Sequence, residues 1–186
     1  LLVLGTGGAV PIPGRAPTSN LVNIDGQSVL VDIGPGALSR LVSSEHGPNS
    51  LDEIETILFT HLHPDHCNDI VPLLFAMRCP ALESKMPILL MGPVGLVKYM
   101  EKLADLYGDW LKPLHRQVII TEFDPDEPFL LENGASVTPF IANHSENRFS
   151  KYNFGYSFCD KNGSKVVISG DSGPSIALET FATDCD

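Results

Sequence analysis

The sequence predicts one α/β domain that occupies residues 1–186. The length of 186 residues suits a single domain with its own hydrophobic core. Hydrophobic residues make up 43% of the chain and charged residues 19%, which is a globular composition. Short apolar runs typical of strands alternate with segments of helical spacing, and a β-rich run follows. These three observations favour a mixed α/β fold.

The first half of the chain predicts strands and helices in alternation. A strand at 1–4 precedes a Gly/Pro-rich loop, and strands at 20–25 and 28–33 form a hairpin that turns at Gly26-Gln27. Further elements follow in this order: a helix that begins near Ala37 and ends near Gly47, a short helix opened by Ser50 with Glu53, a strand at 56–60, a helix at 68–78 and a strand at 87–91.

The second half of the chain begins with a helix and continues mainly in strands. Apolar residues recur every three or four positions from Val97 to Trp110, which is the pattern of an amphipathic helix packed on a core. Strands are then predicted at 117–123, 129–131, 136–142, 152–159 and 165–169.

The charge of the chain excludes some classes of partner. Twelve Lys and Arg against 23 Asp and Glu give a formal net charge of −11. Broad binding to nucleic acid or to an anionic membrane requires a basic surface, so this balance disfavours both. No run of about 18 apolar residues predicts a membrane span.

The cysteines indicate a reducing compartment. Cys67, Cys79, Cys159 and Cys185 contain no C-x-x-C pair, so they suit neither a disulfide framework nor a four-cysteine zinc site. We therefore expect reduced thiols and a cytoplasmic protein. The strand-like start at Leu1 and the abrupt end at Asp186 lead us to expect further residues at both ends.

The most informative stretch is His61-Leu62-His63-Pro64-Asp65-His66. The pattern H-x-H-x-D-H arises by chance in about one chain in two thousand of this composition. In extended backbone His61 and His63 point the same way, and a turn at Pro64 would bring Asp65 and His66 to a second point nearby. Imidazole and carboxylate groups are ligands of zinc, and they also suit iron and manganese.

This stretch resembles the metal-binding signature of the metallo-β-lactamase-fold hydrolases. Further segments resemble the ribonuclease Z-like branch of that family, and together they cover about residues 1–174. They are Leu4-Gly5-Thr6-Gly7-Gly8 with Arg15 and Ser19-Asn20, Val31-Asp32-Ile33-Gly34-Pro35-Gly36, Gly92-Pro93-Val94-Gly95-Leu96, Asn143-His144-Ser145 and Ser169-Gly170-Asp171-Ser172. The resemblance implies an αββα sandwich.

The resemblance also implies a site for two divalent metal ions, most readily zinc, with manganese or iron as alternatives. It assigns His61, His63 and His144 to the first metal. It assigns Asp65 and His66 to the second metal, with Asp171 bridging the two. Asp32 is expected to hold a ligand from outside the metal shell.

One ligand expected from the family is missing. The family supplies a last His to the second metal after the Gly-Asp-Ser segment, but no His follows His144 here. We expect that the C-terminal part of the sandwich lies outside this chain. The alternative is a degenerate second site.

The expected activity is hydrolysis by metal-activated water, with Asp65 orienting that water or accepting its proton. Phosphodiesters are the leading substrate class. Ribonuclease Z carries a basic arm after its G-P-x-G-L segment, whereas residues 97–116 form a plain helix here. A small or cyclic phosphodiester is therefore preferred to RNA 3′-end processing, and a homodimer is an additional expectation from the family.

The sequence also leaves room for alternatives to phosphodiester hydrolysis. Thioester or lactone hydrolysis on the same fold is the main alternative, and a binding module with a degenerate metal site is the second. Cys67 beside His66 suggests a thiolate nucleophile, but neighbouring residues seldom align for proton transfer, so a small buried side chain is the preferred interpretation.

Overall fold

The computed structural model describes residues 1–145 and 148–185, which form two facing β-sheets with helices outside them. The first sheet contains, in spatial order, β1 (Leu2–Gly5), β2 (Ser19–Ile24), β3 (Gln27–Val31), β4 (Thr56–Leu58), β5 (Ile88–Pro93) and β6 (Val118–Phe123). The second contains, in spatial order, β10 (Lys165–Ile168), β9 (Phe154–Cys159), β8 (Ser136–Ile141) and β7 (Phe129–Leu130).

The helices are short. In chain order they are α1 (Ala37–Ser43), α2 (Pro64–Cys67), α3 (Ile70–Ala76), α4 (Leu96–Tyr107) and α5 (Ile176–Ala182). Single 3₁₀ turns lie at Leu51–Glu53 and Gly108–Leu111. Among the described residues, no helix combines the length and the apolar character that a membrane crossing needs.

Strand direction differs between the two sheets. In the first sheet, β1, β2 and β3 pair antiparallel, and β3, β4, β5 and β6 pair parallel. The second sheet is antiparallel throughout, so β8 and β10, which both pair with β9, run in the same direction. The carboxyl ends of β8 and β10 therefore lie at one edge of their sheet.

The alternation of side chains along β3 builds two hydrophobic layers. Leu30 is buried in the cluster that also contains Leu41 of α1 and Leu73 of α3. Its neighbours Val29 and Val31 point to the opposite face and are buried in the cluster between the two sheets. The first sheet is thus covered by helices on one face and by the second sheet on the other.

Helix α5 covers the outer face of the second sheet. The ring of Phe181 in α5 stacks on Phe140 of β8 with 4.7 Å between ring centroids. The layers therefore follow the order α, β, β, α, which confirms the expected sandwich. The sequence analysis did not predict α5, although Ser175 caps it by accepting a hydrogen bond from Leu178 N.

The expected helix at 68–78 differs in detail from the structure. Its first turn, α2, begins earlier at Pro64, a position where proline is favoured because no N–H is needed. The helical segment then divides around Asn68 and Asp69, and α3 begins at Ile70. Pro72 lies in the first turn of α3, as expected.

Candidate metal centre

The carboxyl ends of four strands converge on one site. Asp32 directly follows β3, and the histidine cluster follows β4 in the same sheet. His144 follows β8 and Asp171 follows β10 in the other sheet. Because β3 and β4 are parallel, and β8 and β10 run in the same direction, each sheet brings its pair of segments to a single edge.

Asp32 is the buried acceptor beneath this site. Its carboxylate accepts hydrogen bonds from Thr60 N at 2.8 Å, from Thr60 Oγ1 at 2.8 Å and from Nδ1 of His66 at 2.7 Å. Its backbone has a φ of 60°, a left-handed conformation that aspartate tolerates better than most residues. Asp32 therefore touches one histidine directly and a second through Thr60.

These contacts set which ring nitrogens face the site. The Thr60 hydroxyl donates its proton to Asp32, so the contact of 3.0 Å with Nδ1 of His61 requires that this nitrogen be the donor. The neutral His61 ring then keeps a lone pair on Nε2. In His66, the Asp32 carboxylate holds the proton on Nδ1, and Nε2 is the atom turned toward the site.

The first group of candidate ligands is His61, His63 and His144. Nδ1 of His63 lies 2.9 Å from Nε2 of His61 and 3.2 Å from Nε2 of His144. Zinc–nitrogen bonds of about 2.0–2.1 Å in a tetrahedral arrangement separate two ligands by about 3.3 Å. These two distances are close to that value, and all three nitrogens lie within 4.8 Å of one another, so a cation could bind between them.

The second group of candidate ligands contains His61, His66 and Asp171. Nε2 of His66 is buried and makes no well-aligned hydrogen bond within the described residues, although Oδ1 of Asp171 lies 3.3 Å away. Such a buried nitrogen facing a carboxylate fits a metal ligand. Asp65 lies slightly farther out, with Oδ2 3.8 Å from the same nitrogen.

The pKa values of the histidines differ sharply. Burial, together with the neighbouring His66 and His63, lowers the pKa of His61 to about 3. Burial and the neighbouring His144 also lower the pKa of His63. Both rings are therefore neutral at pH 7 and have a lone pair available for a cation.

His66 behaves in the opposite way. Burial opposes its charged form, but the carboxylates of Asp32 and Asp171 outweigh that effect and raise its pKa to about 10. Contact with His66 in turn lowers the pKa of Asp171 to about 2. A cation at this position would take the place of the proton on Nε2.

Glycines allow the loops of the site to approach one another. Gly170 precedes Asp171 and has a φ of 60°, and a Cβ there would lie 2.5 Å from the carbonyl oxygen of Phe154. Gly34 follows Ile33, and a Cβ there would collide with the carbonyl oxygen of Asp65. Side chains at these two positions would push Asp171 and Asp65 out of place.

Replacing Gly170 with alanine is expected to lower the free energy of unfolding by about 1–3 kcal/mol, because the backbone conformation is strained and Phe154 must move. Displacement of Asp171 should also weaken metal binding. Gly173→Ala is the matched control, since its Cβ would meet nothing closer than 3.4 Å. Denaturant unfolding and metal titration of both variants test this prediction. Equal stability and equal metal affinity of the Gly170→Ala and Gly173→Ala variants would contradict it.

Cys67 takes no nucleophilic role in this geometry. Its thiol is buried and donates to the carbonyl oxygen of His63 at 3.1 Å, and the hydroxyl of Tyr99 lies 3.2 Å from the same sulfur. Burial raises its pKa to about 12, so the thiolate is scarce at neutral pH. The thiol is therefore a packing group, as the sequence interpretation preferred.

The structure brings all seven residues singled out from the sequence to one place. They are Asp32, His61, His63, Asp65, His66, His144 and Asp171. His46 and His115 are exposed and belong to neither ligand group. Thr60, which links Asp32 to His61, was not identified as a functional residue, although it lies in the matched signature.

The fold and this site define a metallo-β-lactamase-fold protein. The model of the family described as "Beta-lactamase superfamily domain" matches residues 27–182. The chain therefore belongs to the beta-lactamase superfamily.

Two curated relatives of the chain are each named ribonuclease Z. The chain is 30% identical over 126 residues to a ribonuclease Z of Borrelia duttonii, covering 66% of this chain and 38% of that protein. It is 29% identical over 196 residues to a ribonuclease Z of Mycobacterium avium, covering 97% of this chain and 65% of that protein. The chain thus spans between 38% and 65% of the length of these relatives.

A solved structure shows the same likeness. The short form of human tRNase Z superposes on the whole of this chain with a TM-score of 0.78 and 25% sequence identity. The chain covers 74% of that structure.

Proposed function

We propose that the protein is a hydrolase that uses two divalent cations to cleave phosphodiesters. The proposal is carried by the position of Asp171. Its Oδ1 lies 3.3 Å from Nε2 of His66, and its Oδ2 lies 3.9 Å from Nε2 of His144. One carboxylate thus faces both groups of ligands, as a residue shared between two cations would.

The proposed ligand sets differ from the two groups in one respect: beside His66, Asp65 takes the place of His61. His61, His63 and His144 would hold the first cation. Asp65 and His66 would hold the second cation, and Asp171 would bind both. Two divalent cations bound in this way lower the pKa of water and offset the negative charge that develops on an attacked phosphodiester. Three nitrogen ligands at near-tetrahedral spacing favour zinc, with manganese or iron as alternatives.

Asp65 is the proposed catalytic group. Its side chain lies at the mouth of the site with 15% of its surface exposed, so it can contact both a bound cation and solvent. A carboxylate in this position orients the attacking water and accepts its proton. Asp32 takes no part in that transfer, since it is fully buried and its oxygens accept from Thr60 and His66.

A small anionic substrate is preferred to RNA. All residues between β5 and β6 are described, and they form α4 and a 3₁₀ turn without a projecting basic arm. The net charge of −11 repels a long polyanion, whereas two cations attract a single phosphate locally. The relatives named ribonuclease Z support phosphodiester chemistry, and RNA processing of their type is the second candidate substrate class.

Metal analysis of the full-length protein, combined with its turnover of bis(p-nitrophenyl) phosphate, tests the proposal. We expect two equivalents of metal per chain after reconstitution with zinc, manganese or Fe(II). Turnover should stop on chelation and return when metal is restored.

Two outcomes would overturn the proposal in different ways. Two bound metals with turnover of thioesters or lactones, but none of phosphodiesters, would refute the substrate class. Less than one metal per chain would instead favour a binding module with a degenerate site.

A further inference from the structure

A cleft of about 390 Å³ lies beside His63 and has an arginine in its lining. We call it the Arg148 cleft. Its lining includes Leu62, His63, Pro64, Tyr99, Arg148 and Phe149. Its volume falls within the range of roughly 300–1,000 Å³ typical of small-molecule sites. Because His63 is a proposed metal ligand, a molecule held at the metal centre could extend into this cleft.

The walls of the Arg148 cleft are apolar and include two aromatic rings. The rings of Tyr99 and Phe149 meet edge to face, with 5.5 Å between their centroids. Tyr99 is only 8% exposed, and its hydroxyl lies within hydrogen-bond distance of Cys67 Sγ, at 3.2 Å, which fixes the ring. Fixed aromatic walls of this kind favour a planar aromatic group.

Arg148 gives the cleft a positive charge. It is exposed, and it has no ion-pair partner within residues 1–145 and 148–185. The planar guanidinium binds carboxylate and phosphate groups through two parallel hydrogen bonds.

We propose that the Arg148 cleft binds an aromatic ester arm of the substrate, and that Arg148 donates hydrogen bonds to an anionic group on that arm. The inference rests on the proposed function, because the phosphate to which the arm is attached would lie at the metal centre. Arg148 is then a specificity-determining residue. It binds the arm equally in the ground and transition states, and no bond forms or breaks there.

The test compares three phosphate esters by calorimetric titration of the metal-loaded protein. Methyl phosphate has no ring, phenyl phosphate adds the ring, and 4-carboxyphenyl phosphate adds an anionic group to that ring. Phenyl phosphate should bind at least about tenfold more tightly than methyl phosphate through stacking. The added carboxylate should contribute at least about a further tenfold through Arg148.

Two variants separate the two contributions. Phe149→Ala should remove the gain from the ring, and Arg148→Gln should remove only the gain from the carboxylate. Lys151→Gln is the matched control, since Lys151 is an exposed cation three residues away that contacts the ring of Tyr152. The control should bind all three esters as the parent protein does.

The failures of the two proposals are distinguishable. Phenyl and 4-carboxyphenyl phosphates that bind no more tightly than methyl phosphate would overturn the cleft assignment. An Arg148→Gln variant that weakens methyl phosphate equally would also overturn it, because Arg148 would then act on the phosphate itself. If methyl phosphate shows no metal-dependent binding to the parent protein, that result counts against the proposed metal centre.

Discussion

Replacing His63 with alanine is expected to abolish metal-dependent hydrolysis while leaving the fold intact. Its Nδ1 is the nitrogen that lies within 2.9–3.2 Å of both other histidines of the first group. Without it, the first cation loses a ligand. The affinity of the protein for that cation should fall by more than the ~10–100-fold typical of losing a residue that only hydrogen-bonds to a ligand. The ring is only partly buried and makes no capping hydrogen bond to α2, so little stability is lost.

The measurement is metal content and turnover beside a denaturant unfolding curve. His115→Ala is the matched control, because His115 is exposed and belongs to neither ligand group. The control should keep both metal and activity. Full activity in the His63→Ala variant would refute its role as a ligand.

Replacing Asp32 with asparagine is expected to have the second-largest effect. The new NH₂ group faces a donor in either orientation of the amide: Thr60 N in one, and both Thr60 Oγ1 and His66 Nδ1 in the other. His66 then loses the buried carboxylate that raises its pKa and makes its ring a stronger ligand. Metal affinity at the second group should fall by about 10–100-fold, and the misdirected buried contacts should cost about 3–5 kcal/mol of stability.

Asp69→Asn provides the comparison for this variant. Asp69 also loses a charge, but the same oxygen, Oδ2, accepts from both Gly36 N and Leu38 N. The remaining amide oxygen of asparagine can still accept both bonds, and no histidine is involved. NMR titration of the histidine rings in the metal-free variants reports the pKa of His66, and an unchanged pKa in Asp32→Asn would contradict the expected mechanism.

The sequence predicted the parts of the fold that local patterning encodes. The hairpin of β2 and β3 was predicted, but its turn was placed one residue late: the turn residues are Asp25 and Gly26, both with positive φ, and Gln27 already pairs with Ile24. Helix α4 followed from its apolar stripe. The division at Asn68 and Asp69 between α2 and α3 was not predictable, because it depends on distant contacts. Asp69 N donates to the carbonyl oxygen of Ile33, and its carboxylate accepts from the loop before α1.

Helix α5 was missed for a related reason. Its seven residues are too few for a clear periodic pattern, and Ile176 remains 83% exposed. What anchors the helix is the stacking of Phe181 on Phe140, a contact between segments far apart in sequence. Such a pairing follows from the folded sandwich and not from the residues around 176–182.

The candidate site was predictable where its residues are close in sequence. His61, His63, Asp65 and His66 form a compact pattern whose chemistry can be inferred directly. His144 and Asp171 followed only from the family resemblance. The hydrogen-bonded chain from Asp32 through Thr60 to His61 required three-dimensional information, because residues 28 apart in sequence had to meet.

The convergence of strand ends from two sheets has a mechanical consequence. His63 and His144 are 81 positions apart in the chain and belong to different sheets, yet their ring nitrogens lie 3.2 Å apart. A cation held between them would act as a cross-link that closes a long loop and ties one layer of the sandwich to the other. Such a cross-link stabilises the folded chain by mass action and restricts the unfolded chain. Chelation would therefore weaken the contact between the two sheets as well as remove the reactive centre.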